Sequence, residues 1–490
     1  MNRLIPSRFH VALALVCALI FSAPLAAREP AATPPADSSG DSGQPAESGT
    51  AADTEATAEE TDVADAADAE DAEDAEDAVS LDEIRRFVAV FRAVKQGYVD
   101  PIDDATLMRA AIRGLLIDLD PHSAYLDAEQ SRALNEAASG AYEGLGLEVI
   151  QQPDRSLLVI APIDETPAAR AGILPGDVIT AIDGEPITVD GVDAAIDSMR
   201  GAAGSQTRLT VEREGAAEPL LFTLTREIIR VASVRVKTLE PGYVYARIST
   251  FQADTGLELD RKLQQAMQQN EGEVKGLVLD LRSNPGGLLN AAVEAADLFL
   301  DDGLIVSTRG RLPHSRSELG AHNGDLLEGA PIAILVDGGT ASAAEVLAGA
   351  LRDHNRALVL GSPTFGKGSV QTVLPLDNGD SIKLTTARYY TPSGTSIQAT
   401  GIIPDVPLES RIDQIASVPD QPPTVRERDL PGHLRGDNET PEAEAAVDSS
   451  IPIIPLQRPE ELDDSGVREA LNMLKGLSVF RERSDTRASD

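Results

Sequence analysis

Between about residues 231 and 410 short, almost continuously apolar runs alternate with helical patterns, and this alternation restricts the chain more than any other feature. "GYVYARIST" reads as a strand and "TGLELDRKLQQAMQQ" as an amphipathic helix. "VKGLVLDL" is a buried strand, "LLNAAVEAADLFL" a helix, "APIAILVDGG" a second buried strand and "TASAAEVLAGALRDH" a further helix. Strands that are apolar on both faces cannot form an open antiparallel sheet with one wet side. They predict an α/β core, a mainly parallel sheet covered by helices on both faces. With no Trp and only 3% aromatic residues, that core is built from Leu, Ile, Val and Ala.

In such a sheet the carboxyl ends of neighbouring strands share one edge, where sites form. Three loops fall there. "VDGGTASAAE" sets Ser342 at a strand-to-helix junction among Gly338, Gly339, Ala341, Ala343 and Ala344, which leave room for a substrate. Free N–H groups at the helix start would stabilise a developing oxyanion. A serine that merely caps the helix would look the same. "DLRSNPGG" brings Gly286 and Gly287, whose backbone N–H groups can point into the same space, although a glycine hinge before a helix would also place them there. The third loop, "GSPTFGKGSVQ", nearly spells a phosphate-binding loop with Gly361, Gly366 and Lys367. Such a loop needs a hydroxyl residue after the lysine and then a helix. Here Gly368 follows, and "SVQTVLPL" and "SIKLTTARYY" form a β-rich pair around the Asn378-Gly379 turn. Lys367 is therefore not a nucleotide lysine. Strand periodicity puts Lys367, Ser369 and Gln371 on one face, so the Gln371 amide can orient a lysine that acts, when neutral, as a general base.

Ahead of this core, residues 141–230 change to short strands and turns. The loop Gly144-Leu145-Gly146-Leu147, followed by Gly172, Gly176-Asp177, Ile179 and Gly184, resembles a PDZ domain. Consecutive N–H groups in that loop form a nest for a carboxylate, and the adjacent strand edge accepts an extended peptide. Leu145 and Leu147 would flank the pocket for the terminal side chain. Residues 80–140 read as a helical unit that opens on a capping box at Ser80 and Glu83. Its "DPHS" contains Asp120, His122 and Ser123, which read as a turn because residues so close in sequence rarely converge on one substrate atom.

The ends differ in composition. Arg3 and Arg8, the apolar "VALALVCALIF" and the small-residue "SAPLAA" predict an export signal over residues 1–27, cleaved near Ala27, with an uncleaved anchor as the alternative. Its roughly 11 apolar residues fall short of the about 20 that a membrane span needs. Cleavage removes Cys17, the one cysteine, and with it thiol catalysis, disulfides and cysteine-based metal sites. Residues 28–79 carry 17 acidic residues against Arg28 alone and cannot bury enough apolar surface to order. Residues 411–490 are Pro- and acid-rich, largely peripheral, with one terminal helix. A net charge of −38 argues against nucleic acid or anionic membrane surfaces as partners.

Over residues 80–410 the order of "LDPHS", the PDZ pattern, "LDLRSNPGG", "VDGGTASAAE" and "GSPTFGKGSVQ" resembles the carboxy-terminal processing peptidases, or tail-specific proteases. The resemblance implies a Clp-protease/crotonase-like α/β core with an inserted PDZ domain and an N-terminal helical unit. By it Ser342 is the nucleophile, Lys367 the general base and Gln371 its positioner, with oxyanion donors at Ala343 and the Gly286-Gly287 loop. It gives His122 a structural role. It implies periplasmic action on proteins or peptides with free C-termini, and no metal or organic cofactor is needed. Some bacterial members work with a lipoprotein adaptor, and members occur both as monomers and as homo-oligomers. Two alternatives stand beside it: a catalytically dead PDZ scaffold, and a crotonase-type enzyme acting on acyl thioesters. An intact Ser342, Lys367 and Gln371 speaks against the first, and an exported chain with a tail-binding module against the second.

Overall fold

The computed structural model describes residues 79–152, 156–187, 192–270, 272–322, 324–408, 425–437 and 464–488. The export signal and nearly all of the acidic segment lie outside the described residues.

The chain divides into two units, one spanning residues 23–114 and the other holding everything from Leu115 onward. In the first, helix α1 (Leu81–Gly97) starts at Ser80, whose Oγ accepts the Glu83 N–H at 3.3 Å. The reciprocal half of the expected capping box is replaced by a pair between Glu83 and Arg86 (2.7 Å). The apolar stripe of α1 has the helical spacing, but none of its residues is buried. Helix α2 (Asp104–Ile117) crosses the boundary between the units.

The helical unit expected over 80–140 is thus divided, and its second half is part of the larger unit. Strand β1 (Ala124–Leu126) pairs antiparallel with a core strand, in the register Tyr125↔Ile382. The reason lies in the "DPHS" turn. Asp120 accepts the His122 and Ser123 N–H groups and the Ser123 hydroxyl (2.6–2.9 Å), and both Asp120 and Ser123 then bond Thr385 (3.1 Å each). Helix α3 (Ala128–Ser139) has a complete capping box at Asp127 and Gln130, and Gly140 in the left-handed region stops it.

The PDZ-like region begins with β2 (Ala141–Gly144) and β3 (Leu147–Gln151), then β4 (Leu157–Pro162), the single turn α4 (Pro167–Arg170), β5 (Val178–Ile182) and β6 (Glu185–Pro186). Helix α5 (Val192–Met199), β7 (Gln206–Glu212), β8 (Leu220–Thr225) and β9 (Glu227–Arg230) complete it. The sheet order is β3-β4-β5-β7-β8, antiparallel throughout, with β6 on β5. Alternate residues such as Leu157, Val159, Leu209 and Val211 meet Ile173, Ala195 and Met199 in one core. β2 pairs with β9 apart from this sheet, so the region's two ends leave it side by side.

The core sheet comprises β10 (Val234–Glu240), β11 (Tyr243–Ile248), β12 (Gly276–Asp280), β15 (Ile332–Val336), β16 (Ala357–Gly361) and β19 (Val406–Pro407). It is parallel from β11 to β19, with β10 an antiparallel edge. Helices α6 (Thr255–Gln269), α7 (Leu289–Asp297) and α8 (Ala343–Asp353) bury one face through Leu259, Leu263, Ala292, Ala296 and Leu347. The other face is covered by α9 (Ser465–Ala488), through Val467, Ala470 and Leu474 against Val278, Ala333 and Leu335. The terminal helix, expected at the periphery, is therefore a layer of the fold, because β12 and β15 are apolar on both sides. A second sheet joins β13 (Leu304–Gly310), β14 (Ser317–Gly320), β17 (Ser369–Pro375) and β18 (Ser381–Tyr390) to β1.

Candidate active site

The turn between β15 and α8 carries Ser342 at φ +54° and ψ −118°, a conformation that only strain-tolerant sites hold in a non-glycine residue. Ser342 is 1% exposed, and among the described residues its Oγ has no hydrogen-bond partner. Serine at a helix start normally spends its hydroxyl on the cap. Here the cap works in the other direction: Glu345, three residues on, accepts the Ser342 N–H on Oε2 at 2.7 Å. The hydroxyl is left for chemistry.

Glu345 also sets the position of Lys367. Oε2 accepts the Lys367 N–H (3.0 Å), and Oε1 accepts the Gly366 N–H (2.8 Å) and the Thr364 hydroxyl. The carboxylate is fully buried. Burial pushes its pKa up to about 8, while the Thr364, Gly366, Ser342 and Lys367 donors pull the other way. The sequence reading missed Glu345. Its signal was present in "SAAE", a serine with glutamate three residues later at a helix start.

The three loops at the carboxyl edge are laced together. Thr340 Oγ1 donates to the Leu281 carbonyl (2.9 Å), the Ala341 N–H to the Asn284 carbonyl (2.9 Å), and the Phe365 N–H to the Thr340 carbonyl (3.0 Å). Asp337 accepts the Ser283 and Gly339 N–H groups at 2.8 and 2.9 Å. A Cβ on Gly286 would stand 2.9 Å from Ser342 Cβ and 3.0 Å from Ala343 N, so the glycine loop does approach the serine. Of the three expected oxyanion donors, however, Gly286 is already engaged: its N–H is turned into Asn284 Oδ1 at 2.8 Å. The Ala343 N–H beside Ser342 is one of the orphan donors of α8.

Lys367 is buried at 7% exposure, and after Gly368 the chain enters β17, not a helix, as the argument against a phosphate loop requires. Ser369 and Gln371 are buried on the same strand. A bulge between Val370 and Gln371 breaks the simple alternation. The Gln371 amide nitrogen donates to Ser369 Oγ (2.9 Å) and Thr385 Oγ1 (3.3 Å), and its Oε1 has no partner. Among the described residues a buried acceptor, Gln371 Oε1, is thus left open on the strand that follows Lys367. Tyr389 of β18, which the sequence reading passed over, is fully buried, and its hydroxyl has no partner among the described residues. Its backbone N–H donates to the Gly368 carbonyl (2.7 Å). Burial pushes the phenol's pKa up, and the adjacent Ser342 side chain acts against that.

A second buried cluster supports the glycine loop from below. Asp280 closes β12 and is paired with Arg282 (2.7 Å) and Arg247 (3.4 Å), with the Tyr245 hydroxyl donating to it at 2.8 Å. Burial alone would raise its pKa, but the two guanidiniums hold it below the ordinary carboxylate range. Arg282 reaches on to Asp464, just before α9 (2.8 Å).

In the PDZ-like region, Gly144 ends β2, Gly146 sits at φ +78° and Leu147 begins the edge strand β3. A Cβ on Gly146 would fall 2.3 Å from Thr166, so only glycine allows this approach. Leu145 is 2% exposed and belongs to the PDZ core, while Leu147 is half-buried against it.

Residues 242–408 match peptidase family S41, residues 158–213 match a PDZ domain, and residues 46–130 match the activating protease CtpB N-terminal domain. The chain is 41% identical over 395 residues to a carboxy-terminal-processing protease of Bartonella bacilliformis, an alignment covering 80% of this chain and 88% of that one. It is 39% identical over 327 residues to a probable CtpA-like serine protease of Staphylococcus aureus, covering 66% and 64% of the two chains. Among solved structures, a photosystem II D1 C-terminal processing protease is 32% identical, covering 68% of this chain and 94% of that chain, at a TM-score of 0.40. With an S41 core, a PDZ domain and a relative matched over most of its length, this chain belongs to the carboxy-terminal-processing serine proteases of peptidase family S41.

Proposed function

We propose that Ser342 is the nucleophile and Lys367 the general base of an endopeptidase that captures a substrate's C-terminal tail and cleaves in its vicinity. The observation that carries this reading is the shared anchor: one buried carboxylate oxygen, Glu345 Oε2, holds the backbone of both residues, while Ser342 Oγ has no hydrogen-bond partner among the described residues. Neutral Lys367 takes the proton from Ser342 as Oγ attacks the peptide carbonyl. The oxyanion that forms is met by the Ala343 and Gly287 N–H groups. Lys367 then gives its proton to the leaving amine, and water activated by the same lysine releases the acyl group. Gln371 orients the amine through its open Oε1 as the lysine moves into line.

Before the chemistry, the free carboxylate of a tail binds the N–H groups of the Gly144–Leu147 loop, and its last residues add to the free edge of β3. We place this activity in the periplasm, supported by Arg3, Arg8, the apolar run and the small residues up to Ala27. Delivery of substrates by a lipoprotein adaptor and self-association belong to the same reading through the resemblance to bacterial members.

The test uses the parent protein and its Ser342→Ala and Lys367→Ala variants on a loosely folded protein with an apolar C-terminal residue, read by intact-mass spectrometry. Cleavage by the parent alone supports the assignment. Cleavage by Ser342→Ala overturns it, and binding of the tail without cleavage by the parent favours the scaffold.

A further inference from the structure

The segment 425–437 lies beyond the stretch that matches the peptidase family, yet it inserts into the loop that carries Lys367. The Glu427 N–H donates to the Phe365 carbonyl at 3.1 Å. Its carboxylate, 0% exposed, accepts from His122 Nε2 at 2.8 and 2.9 Å and from Gln398 Nε2 at 3.0 Å. The other end of the same amide, Gln398 Oε1, accepts the Gly368 N–H at 3.0 Å. Gln398 Nε2 also donates to the Leu434 carbonyl at 2.8 Å. The contact is tight: a Cβ on Gly368 would meet Gln398 N at 2.3 Å, and one on Gly436 would meet Gln398 O at 2.4 Å.

Phe365 and Gly368 bracket Lys367. Phe365 is held by the Glu427 main-chain N–H, and Gly368 through Gln398, whose amide the Glu427 carboxylate accepts, so one residue meets the backbone on both sides of the base. A buried carboxylate is costly unless its hydrogen bonds are satisfied. This one is satisfied by groups from two separate parts of the chain, the "DPHS" turn and the segment after β18. Simple filling of space would be met by an apolar residue at lower cost.

Resting on the Ser342–Lys367 reading, we propose that residues 425–437 form a clasp that completes the active site. Glu427 is its positioning residue: through Phe365 and Gln398 it fixes the loop that aims Lys367 at Ser342. His122, a turn residue with no contact to the reacting atoms, anchors Glu427 from the other side. The tail after the peptidase core is in this respect part of the catalytic apparatus.

The experiment compares the full chain with Glu427→Gln, which keeps the shape of the side chain, and Glu427→Ala. For each, kcat and KM on a tail-bearing substrate are normalised to the sites titrated by a fluorophosphonate at Ser342, and the pH dependence of kcat/KM is recorded. The expected result is a fall in kcat of about 10- to 100-fold in both variants, with KM within about twofold and a displaced acid limb of the pH profile. An unchanged kcat and profile per titrated site overturns the clasp. So does a loss of activity that only tracks the loss of titratable sites, which would mark Glu427 as structural. If Glu427→Ala yields no folded protein, Glu427→Gln alone decides between these outcomes. A Ser342→Ala control that still cleaves would instead overturn the assignment of the nucleophile and leave the clasp without its premise.

Discussion

Glu345 Oε2 accepts the Ser342 N–H at 2.7 Å, so the residue that starts α8 is held by the third residue of the same helix. The same oxygen accepts the Lys367 N–H at 3.0 Å. Two residues 25 positions apart in sequence are thereby referred to one point. The strain at Ser342 and the burial of a carboxylate oppose folding at this point, and the shared anchor is what they make possible: a nucleophile whose hydroxyl is not consumed by its own helix.

Glu345 titrates against stability in a defined window. Its pKa is pushed up by burial from 4.5 to about 8, so between those values the folded protein retains a proton that the unfolded chain releases. Its contribution is full below about pH 4.5 and is lost as the pH rises to about 8, at about 1.4 kcal/mol per unit for one proton. Glu345→Gln removes the titration. The melting temperature of the variant, relative to the parent, should therefore climb steadily between pH 5 and 8. Its kcat should fall most towards and above about pH 8, where the parent's carboxylate accepts all four donors and an amide cannot. A constant offset in melting temperature would show that Glu345 does not titrate there.

Tyr389 carries a buried hydroxyl that, like the Ser342 hydroxyl, has no hydrogen-bond partner among the described residues. Leaving a buried polar group unsatisfied costs roughly 1–3 kcal/mol, so Tyr389→Phe should leave the melting temperature unchanged or raise it. If the phenol serves Ser342 during the reaction, kcat should drop about tenfold or more with little change in KM. Thermal melts and initial rates on the same preparation separate the two effects. A variant that is more stable and equally active would assign the hydroxyl no function.

How much of this was legible in the sequence depended on whether a feature is local. The apolar runs of β12 and β15 dictated a two-faced sheet, whereas the Asp127–Gln130 capping box that starts α3 was not read from the sequence. Ser342, Lys367 and the glycine loop could be placed at one sheet edge because parallel strands end there. Glu345 was visible as a capping-box residue, but its hold on the lysine loop spans 22 positions and no local pattern encodes that. The joining of "DPHS" to Thr385 and of α9 to the back of the sheet are pairings across hundreds of residues. The Asn284 side chain that claims the Gly286 N–H is local, yet an asparagine two residues before a glycine suits many turns.

Asp280 neutralises Arg282 and Arg247 in the interior, and Arg282 extends to Asp464. Asp280→Asn would take from Arg247 its carboxylate partner among the described residues and leave Arg282 with Asp464 alone, with little water to solvate either guanidinium. Breaking a buried ion pair from one side costs roughly 3–5 kcal/mol, so the melting temperature should fall by several degrees at neutral pH. Because the guanidiniums hold the Asp280 pKa down against burial, the parent should lose this contribution as the pH drops through the acid range, and the two melting temperatures should converge there. Parallel pH-dependent melts check both statements.

The tail-capture loop makes a kinetic prediction that the catalytic loops do not. Gly146 combines φ +78° with a Cβ position that would lie 2.3 Å from Thr166. Gly146→Ala must therefore move either the backbone of the loop or Thr166, whose hydroxyl donates to the Gly146 carbonyl at 3.2 Å. Either shift misaligns the N–H groups meant for a terminal carboxylate. KM for substrates with a free C-terminus should rise about tenfold while kcat at saturation stays near the parent value. For the same substrates with an amidated C-terminus, parent and variant should be alike, since neither has a carboxylate to hold. A variant that is impaired equally on free and amidated tails would show that the loop acts on the protease core and not on the tail.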